Sequence, residues 1–279
     1  MQTIDDIESL RAALAEIRRD GRRIALVPTM GALHIGHLAL IELAKRHADV
    51  VIASIFVNPK QFGPTEDFAA YPRMLVADEA KLSAAGVGFL WAPTAEVMYP
   101  TGFATTVTVA GLGDQLCGAS RPGHFDGVAT VVTKLFGQIR PDVALFGEKD
   151  WQQLTIIRQL TTDLNLGVNI IGAPIVRASD GLAVSSRNSY LDAAQRQIAA
   201  HFPAVLAAAR SAIAGGTDVS VALDAARSAL IAAGVGQIDY LELIDSDSLA
   251  ILREHASGAR LVGAVRIGQT RLIDNIAFT

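Results

Sequence analysis

One cysteine, Cys117, is all that the 279 residues contain. That excludes an intrachain disulfide and any multi-cysteine zinc or iron–sulfur cluster, and it suits a reducing compartment. Charge is sparse: 19% of the residues are Asp, Glu, Lys or Arg, and they sum to −4 at neutral pH. A weakly acidic chain is not built to coat nucleic acid or an anionic membrane, although local phosphate binding stays open. Long hydrophobic runs are missing too. The apolar stretch at residues 50–57 is far too short to cross a bilayer. Acids stand in Met1-Gln2-Thr3-Ile4-Asp5-Asp6, where a signal peptide needs bases. Aromatics are few, at 6%, yet 51% of the chain is hydrophobic, enough for a sizeable aliphatic core. The expectation is a cytoplasmic α/β protein with no nucleic-acid or membrane partner.

What is present alternates helical and strand patterns through the first two-thirds, the mark of a parallel sheet with covering helices. Thr3 is placed to cap a helix that ends near Gly21. Buried strands are expected at residues 24–27, 49–57, 87–91, 143–146 and 168–171. Helices are expected at 36–47, 74–85, 127–140 and from Trp151 onward. In the 127–140 helix Val128, Val131, Val132, Leu135 and Ile139 share one face. After residue 175 two Ala-rich helices (192–214 and 219–233) precede three short strands at 239–244, 260–267 and 271–276. The expected division is therefore 1–175 and 176–279, the second unit being a smaller α+β domain.

The strongest local signal is Pro28-Thr29-Met30-Gly31-Ala32-Leu33-His34-Ile35-Gly36-His37, between a buried strand and a helix. Gly31 and Gly36 let a ligand approach the backbone, and the helix start offers free N–H groups to phosphate. A lone histidine here would read as an ordinary surface or core residue. Two of them bracketing a glycine at a strand-to-helix junction read as phosphate donors. Gly147-Glu148-Lys149-Asp150-Trp151-Gln152-Gln153 follows a second buried strand, with Lys149 a compact cation and Asp150 a candidate cap. Val184-Ser185-Ser186-Arg187-Asn188, after Asp180-Gly181, is in isolation a polar turn; beside a nucleotide site, its hydroxyls and guanidinium suit a triphosphate. Phe56-Val57-Asn58-Pro59-Lys60-Gln61-Phe62-Gly63 carries amides suited to a small hydroxyl-bearing acid. Arg121-Pro122-Gly123-His124-Phe125 reads equally as a structural loop, and Tyr71-Pro72-Arg73 as a lid or turn.

The His-Ile-Gly-His segment resembles the signature of the nucleotidyltransferase superfamily, which includes class I aminoacyl-tRNA synthetases. Taken with Phe-Val-Asn-Pro-x-Gln-Phe, Tyr-Pro-Arg, Arg-Pro-x-His-Phe, Gly-Glu-Lys-Asp-x-Gln-Gln and Asp-Gly-Leu-Ala-x-Ser-Ser-Arg-Asn, the chain resembles the pantothenate synthetase family along most of its length. The resemblance implies a Rossmann-like parallel-sheet amino-terminal domain with a smaller α+β carboxy-terminal lid. It also implies an ATP-dependent ligase that joins pantoate to β-alanine through a pantoyl adenylate, and a homodimer.

By the same resemblance Met30, Gly31, Ala32, Leu33, His34, Ile35, Gly36 and His37 form part of the ATP site. Gly147, Glu148, Lys149, Asp150, Val176, Val184, Ser185, Ser186 and Arg187 complete it. His37 takes the family's catalytic position, with His34, Lys149 and Arg187 also catalytic. Gln61 and Gln153 hold pantoate, Gln61 also lying near β-alanine. The family uses Mg²⁺, and Asp78 is the carboxylate offered to it. Val184 stands where the family often has Met or Leu, which implies altered packing against adenine. Two readings remain beside this one: a single-step nucleotidyltransferase on a small phosphorylated acceptor, and a non-catalytic nucleotide sensor. A shortened aminoacyl-tRNA synthetase is disfavoured by the lack of an anticodon domain or a basic excess.

Overall fold

The chain opens with β1 (Gln2–Ile4) and α1 (Ile7–Arg19), followed by β2 (Ile24–Thr29), α2 (Ile35–Ala44) and β3 (Val50–Ile55). This is a computed structural model, and it describes residues 1–64 and 66–278. Next come α3 (Leu75–Ala84), β4 (Phe89–Trp91) and the single turns α4 (Ala95–Met98) and α5 (Cys117–Ser120). Then follow α6 (His124–Ile139), β5 (Val143–Gly147), α7 (Trp151–Asp163) and β6 (Asn169–Ala173). The remainder is α8 (Ala193–Ala214), α9 (Val219–Ala232), β7 (Gln237–Asp245), β8 (Ala259–Ile267) and β9 (Thr270–Ala277).

Six strands form a parallel sheet in the order β1-β4-β3-β2-β5-β6. β2, β3 and β5 are buried along nearly their whole length, so they read as unbroken apolar runs rather than alternating ones. One face packs under α1, α6 and α7 through residues such as Leu10, Val128, Leu135 and Ile157. The other packs under α2 and α3 through Leu40, Ile41 and Leu82. The chain builds β2, β3 and β4 outward to one side, then places β5 on the other side of β2. The order reverses there, and the carboxyl ends of β2 and β5 bound a crevice.

The expected first helix needs one correction. Thr3 does not cap it: Gln2–Ile4 pairs with β4 as an edge strand, and α1 begins after Asp6, whose Oδ1 accepts the Ser9 N–H at 2.9 Å. A strand of three residues with only Ile4 buried leaves no periodicity to read.

The last third is a three-stranded antiparallel sheet, order β7-β8-β9. Phe202 and Leu206 of α8 and Leu223 and Leu230 of α9 cover one face, against Leu261, Val265 and Leu272. Ile244 and Val262 instead join the core under α6 and α7. The two sheets therefore share apolar packing.

Candidate active site

A cleft of about 220 Å³ lies at the reversal point, between the ends of β2 and β5. It draws its walls from each of the three segments that carry the chemistry: Met30, His34, Gly36 and His37; Lys149, Asp150 and Gln153; and Val176, Val184, Ser185 and Ser186.

The loop after β2 is held open by its backbone. Gly31 has φ +85° and Ala32 φ +50°, a left-handed bend before α2 begins. A side chain at Gly31 would also press on Asp78 Oδ2 and Ile55, each 3.2 Å from the added carbon. Asp78 is fully buried, and its two oxygens accept the Ala32 and Leu33 N–H groups at 2.8 and 2.9 Å. The Lys81 ammonium donates to Leu33 O at 2.7 Å. The loop is thus shaped from behind, with its polar face left toward the cleft.

His34 and His37 stack at 4.0 Å between ring centroids. The Gly36 N–H donates to His34 Nδ1 at 3.2 Å, and the His34 N–H donates to His37 Nδ1 at 3.3 Å. With Nδ1 an acceptor in each ring, the proton of the neutral imidazole sits on Nε2. Burial, followed by the Lys149 charge, lowers His34 to about 4. Burial, then His34 and Lys149, lowers His37 to about 3. Both rings are therefore neutral N–H donors at the start of a helix whose dipole favours an anion.

At the opposite wall, the turn at Pro59–Gln61 presses against α6. A Cβ on Gly127 would lie 2.2 Å from Lys60 O and 2.7 Å from the Gln61 N, so only glycine allows this contact. Asn58 is 1% exposed and uses its whole amide: Nδ2 donates to Gln61 Oε1 and Gly127 O, and Oδ1 accepts from Tyr99 Oη and the Lys60 N–H. Gln61 Nε2 reaches Met30 Sδ at 2.8 Å, tying this wall to the histidine loop. The Gln61 carbonyl accepts from His124 Nδ1 at 2.8 Å, while Arg121 Nη1 donates to His124 Nε2 at 3.0 Å. Burial and the Arg121 charge lower His124 to about 4. Arg121 also grips Glu66. Burial alone would raise that carboxyl, but the Arg121 hydrogen bonds and charge outweigh it and hold it at about 2.

The two glutamines after Lys149 divide their work. Gln152 faces inward, accepting from Cys117 N–H and donating to Leu112 O and Gln115 O. Gln153 faces the cleft. In the third segment Ser185 caps the short turn Ser186–Tyr190 by accepting the Arg187 N–H, and Ser186 Oγ lies 3.3 Å from Tyr71 Oη. Arg187 is not turned to the cleft; its guanidinium is paired with Asp67.

Gly31, Ala32 and Leu33 shape the loop rather than line the cleft, Ile35 is exposed, and the Glu148 carboxylate points toward Arg260 at 3.9 Å. Asp78 does not fit a metal ligand in this arrangement, because both of its oxygens are engaged by loop amides. Among the described residues no three His, Cys, Asp or Glu side chains converge on a common point. Asn58 and Tyr71, inside two of the quoted segments, and Glu66 and Asp67, outside every motif, also join the site. Their shared signal is position: all lie between the Phe-Val-Asn-Pro and Tyr-Pro-Arg segments or within them.

The sequence matches the family model described as pantoate-beta-alanine ligase over residues 2–277. It is 58% identical to the pantothenate synthetase of Sphingopyxis alaskensis, over 99% of both chains. The pantothenate synthetase of Thermus thermophilus superimposes with a TM-score of 0.94 at 47% identity, over 99% of each chain. The Francisella tularensis pantoate-beta-alanine ligase, solved complexed with beta-gamma ATP and beta-alanine, gives 0.85 at 34% identity, over 99% of this chain and 97% of its own. Matched along its length in sequence and in fold, the chain belongs to the pantoate–β-alanine ligase family.

Proposed function

We propose that the cleft condenses pantoate with β-alanine at the expense of ATP, giving pantothenate, AMP and pyrophosphate through a bound pantoyl adenylate. The observation that carries this reading is the cleft itself. Phosphate donors (His34, His37, Lys149, Ser185, Ser186) stand in the same crevice as amides suited to a hydroxy acid (Gln61, Gln153).

A carboxylate is a poor electrophile and needs a leaving group before an amine can displace anything from it. The pantoate carboxylate attacks the α-phosphorus of ATP, the bond to the β-phosphate oxygen breaks, and pyrophosphate departs. The β-alanine amine then attacks the acyl carbon, the acyl–phosphate bond breaks, and AMP leaves while the nitrogen loses a proton. Neither step needs a covalent enzyme nucleophile. The chain supplies orientation and countercharge: Nε2–H of His34 and His37 and the Lys149 ammonium meet the phosphoryl oxygens, while Gln61 and Gln153 hold pantoate. Mg²⁺ bound with ATP would neutralise phosphate charge there, and the described residues present no converging carboxylate set to hold it. The division into 1–175 and 176–279 fits a cleft with one wall from the segment that joins the two sheets. Assembly as a homodimer and a cytoplasmic place of work complete the reading; no helix among the described residues is long and apolar enough to cross a membrane.

The test follows ATP, Mg²⁺ and pantoate with and without β-alanine, recording AMP and pyrophosphate. Sustained AMP release that needs both organic substrates supports the ligase. Pyrophosphate release with a persisting nucleotide conjugate, indifferent to β-alanine, would move the assignment to a simple nucleotidyltransferase. ATP binding without turnover would indicate a sensor.

A further inference from the structure

The turn that carries Lys149 has no side-chain cap, and its one internal ion pair, Lys149 to Asp150, is long at 3.6 Å. Gly147 makes no side-chain cap for the residues Glu148–Asp150, and Asp150 makes none for α7. A helix start with no side-chain cap is a poor place from which to aim a charge at a phosphate. The brace comes from β9. Asn275, 2% exposed, donates from Nδ2 to Glu148 O at 2.9 Å and to Lys149 O at 3.0 Å. Its Oδ1 accepts from Arg260, whose guanidinium lies 3.5 Å from the centroid of the Trp151 ring, the first residue of α7.

The preceding residue holds the other phosphate-facing segment. Asp274, also 2% exposed, takes the Arg177 guanidinium in a two-point contact at 2.7 and 2.9 Å. Arg177 bridges Ala183 across a short antiparallel turn, and its Nη1 donates to Gly181 O at 3.1 Å. That turn is flanked by Val176 and Val184, which line the cleft, and runs on into Ser185 and Ser186. Two consecutive buried polar residues break the alternation expected of a strand at a sheet edge. Such groups are costly to bury unless every partner is met, and here the partners are the two arms of the site.

We infer that Asp274 and Asn275 are positioning residues for adenylate formation: the pair fixes the Lys149 turn and the 176–187 segment at one separation, so that both meet the same triphosphate. The C-terminal sheet thereby sets the geometry of the phosphate site. The inference rests on the adenylating reading above.

The test is Asn275→Asp, which keeps size and the acceptor for Arg260 but sets an oxygen against the two turn carbonyls. Ile276→Ala, in the same strand and packed on the C-terminal core, is the control for general loosening. Pantoate-dependent pyrophosphate release, the KM for β-alanine, the calorimetric Kd for ATP and the melting temperature are measured for each. Asn275→Asp is expected to lower the rate of pyrophosphate release at least about tenfold and weaken ATP several-fold, with the KM for β-alanine within about twofold of the parent. Ile276→Ala, at equal or lower melting temperature, is expected to keep most of that rate. A folded Asn275→Asp with parental rate and ATP affinity overturns the inference, as does an equal loss in Ile276→Ala. If Asn275→Asp does not fold, Asn275→Ala is read by the same criteria. If the parent itself releases no pyrophosphate, the adenylating reading fails, and the ATP affinities alone decide whether the pair positions the phosphate site.

Discussion

Arg187 and Asp67 pair at two points, Nε to Oδ2 at 3.2 Å and Nη2 to Oδ1 at 2.9 Å. The guanidinium that the family resemblance assigns to the phosphates is thus already satisfied by a carboxylate. The Asp67 segment is tied down further by Glu66 to Arg121 and Tyr71 to Ser186. A triphosphate that recruits Arg187 must displace Asp67, so part of the binding energy goes into that exchange.

Asp67→Asn removes the competing charge but keeps the side-chain shape. Its affinity for ATP should rise about two- to tenfold, the range expected for a partly exposed ion pair, and titration calorimetry reads it directly. Unchanged or weaker binding would show that Asp67 does not compete with nucleotide.

Lys149→Ala and His37→Ala should each cut adenylate formation by about 10²–10³-fold, the usual loss on removing one preorganised donor to a developing charge. Pyrophosphate release under single-turnover conditions is the measurement, with circular dichroism to verify the fold. Normal turnover in both variants would place the chemistry elsewhere.

Stability should fall on mild acidification, and the sign follows from the histidines. Burial holds His34 and His124 at about 4 and His37 at about 3, against 6.5 when unfolded. The folded state resists protons that the unfolded chain accepts. The stability these groups confer is therefore complete above pH 6.5 and is lost as pH falls from there through 4 to about 3. For well-buried His124 the loss is of order 2 kcal/mol. Glu66 adds a second loss below 4.5, the ordinary carboxyl value, down to its folded value of about 2. Urea midpoints at pH 7.5, 6.5, 5.5 and 4.5 should descend; a flat series contradicts the neutral, buried rings.

Asp78→Ala strands two loop amides and unpairs Lys81, and should cost about 2–4 kcal/mol with a matching loss of activity. The concentration of Mg²⁺ needed for half-maximal rate, measured in Asp78→Asn, should stay within about twofold of the parent, because both Asp78 oxygens are already engaged by loop amides. A large rise in that requirement would restore Asp78 as a metal ligand.

Much of this was legible in the sequence because the chemistry is local there. His34, Gly36 and His37 lie within one turn of a helix, and the buried strands at 24–27 and 143–146 announce where the two loops leave the sheet. What stayed hidden is whatever depends on distant partners. Asp78 looked available to a cation because nothing in its neighbourhood reveals that the Ala32 and Leu33 amides claim it. Arg187 looked free because Asp67 lies 120 positions away. Asp274 and Asn275 sit in a short strand with no motif around them. Their role is visible only when the Glu148 and Lys149 carbonyls are seen to end on one amide.

The contact between Lys149 and Asn275 spans 126 positions. A nascent chain that has completed its parallel sheet still lacks the strand that braces its own lysine turn, and closing so long a loop is among the slow events of folding. The nucleotide pocket should therefore mature late, after the surrounding framework is already rigid. A chain stopped before its last strand would carry every motif of the cleft and lack the brace on its lysine turn.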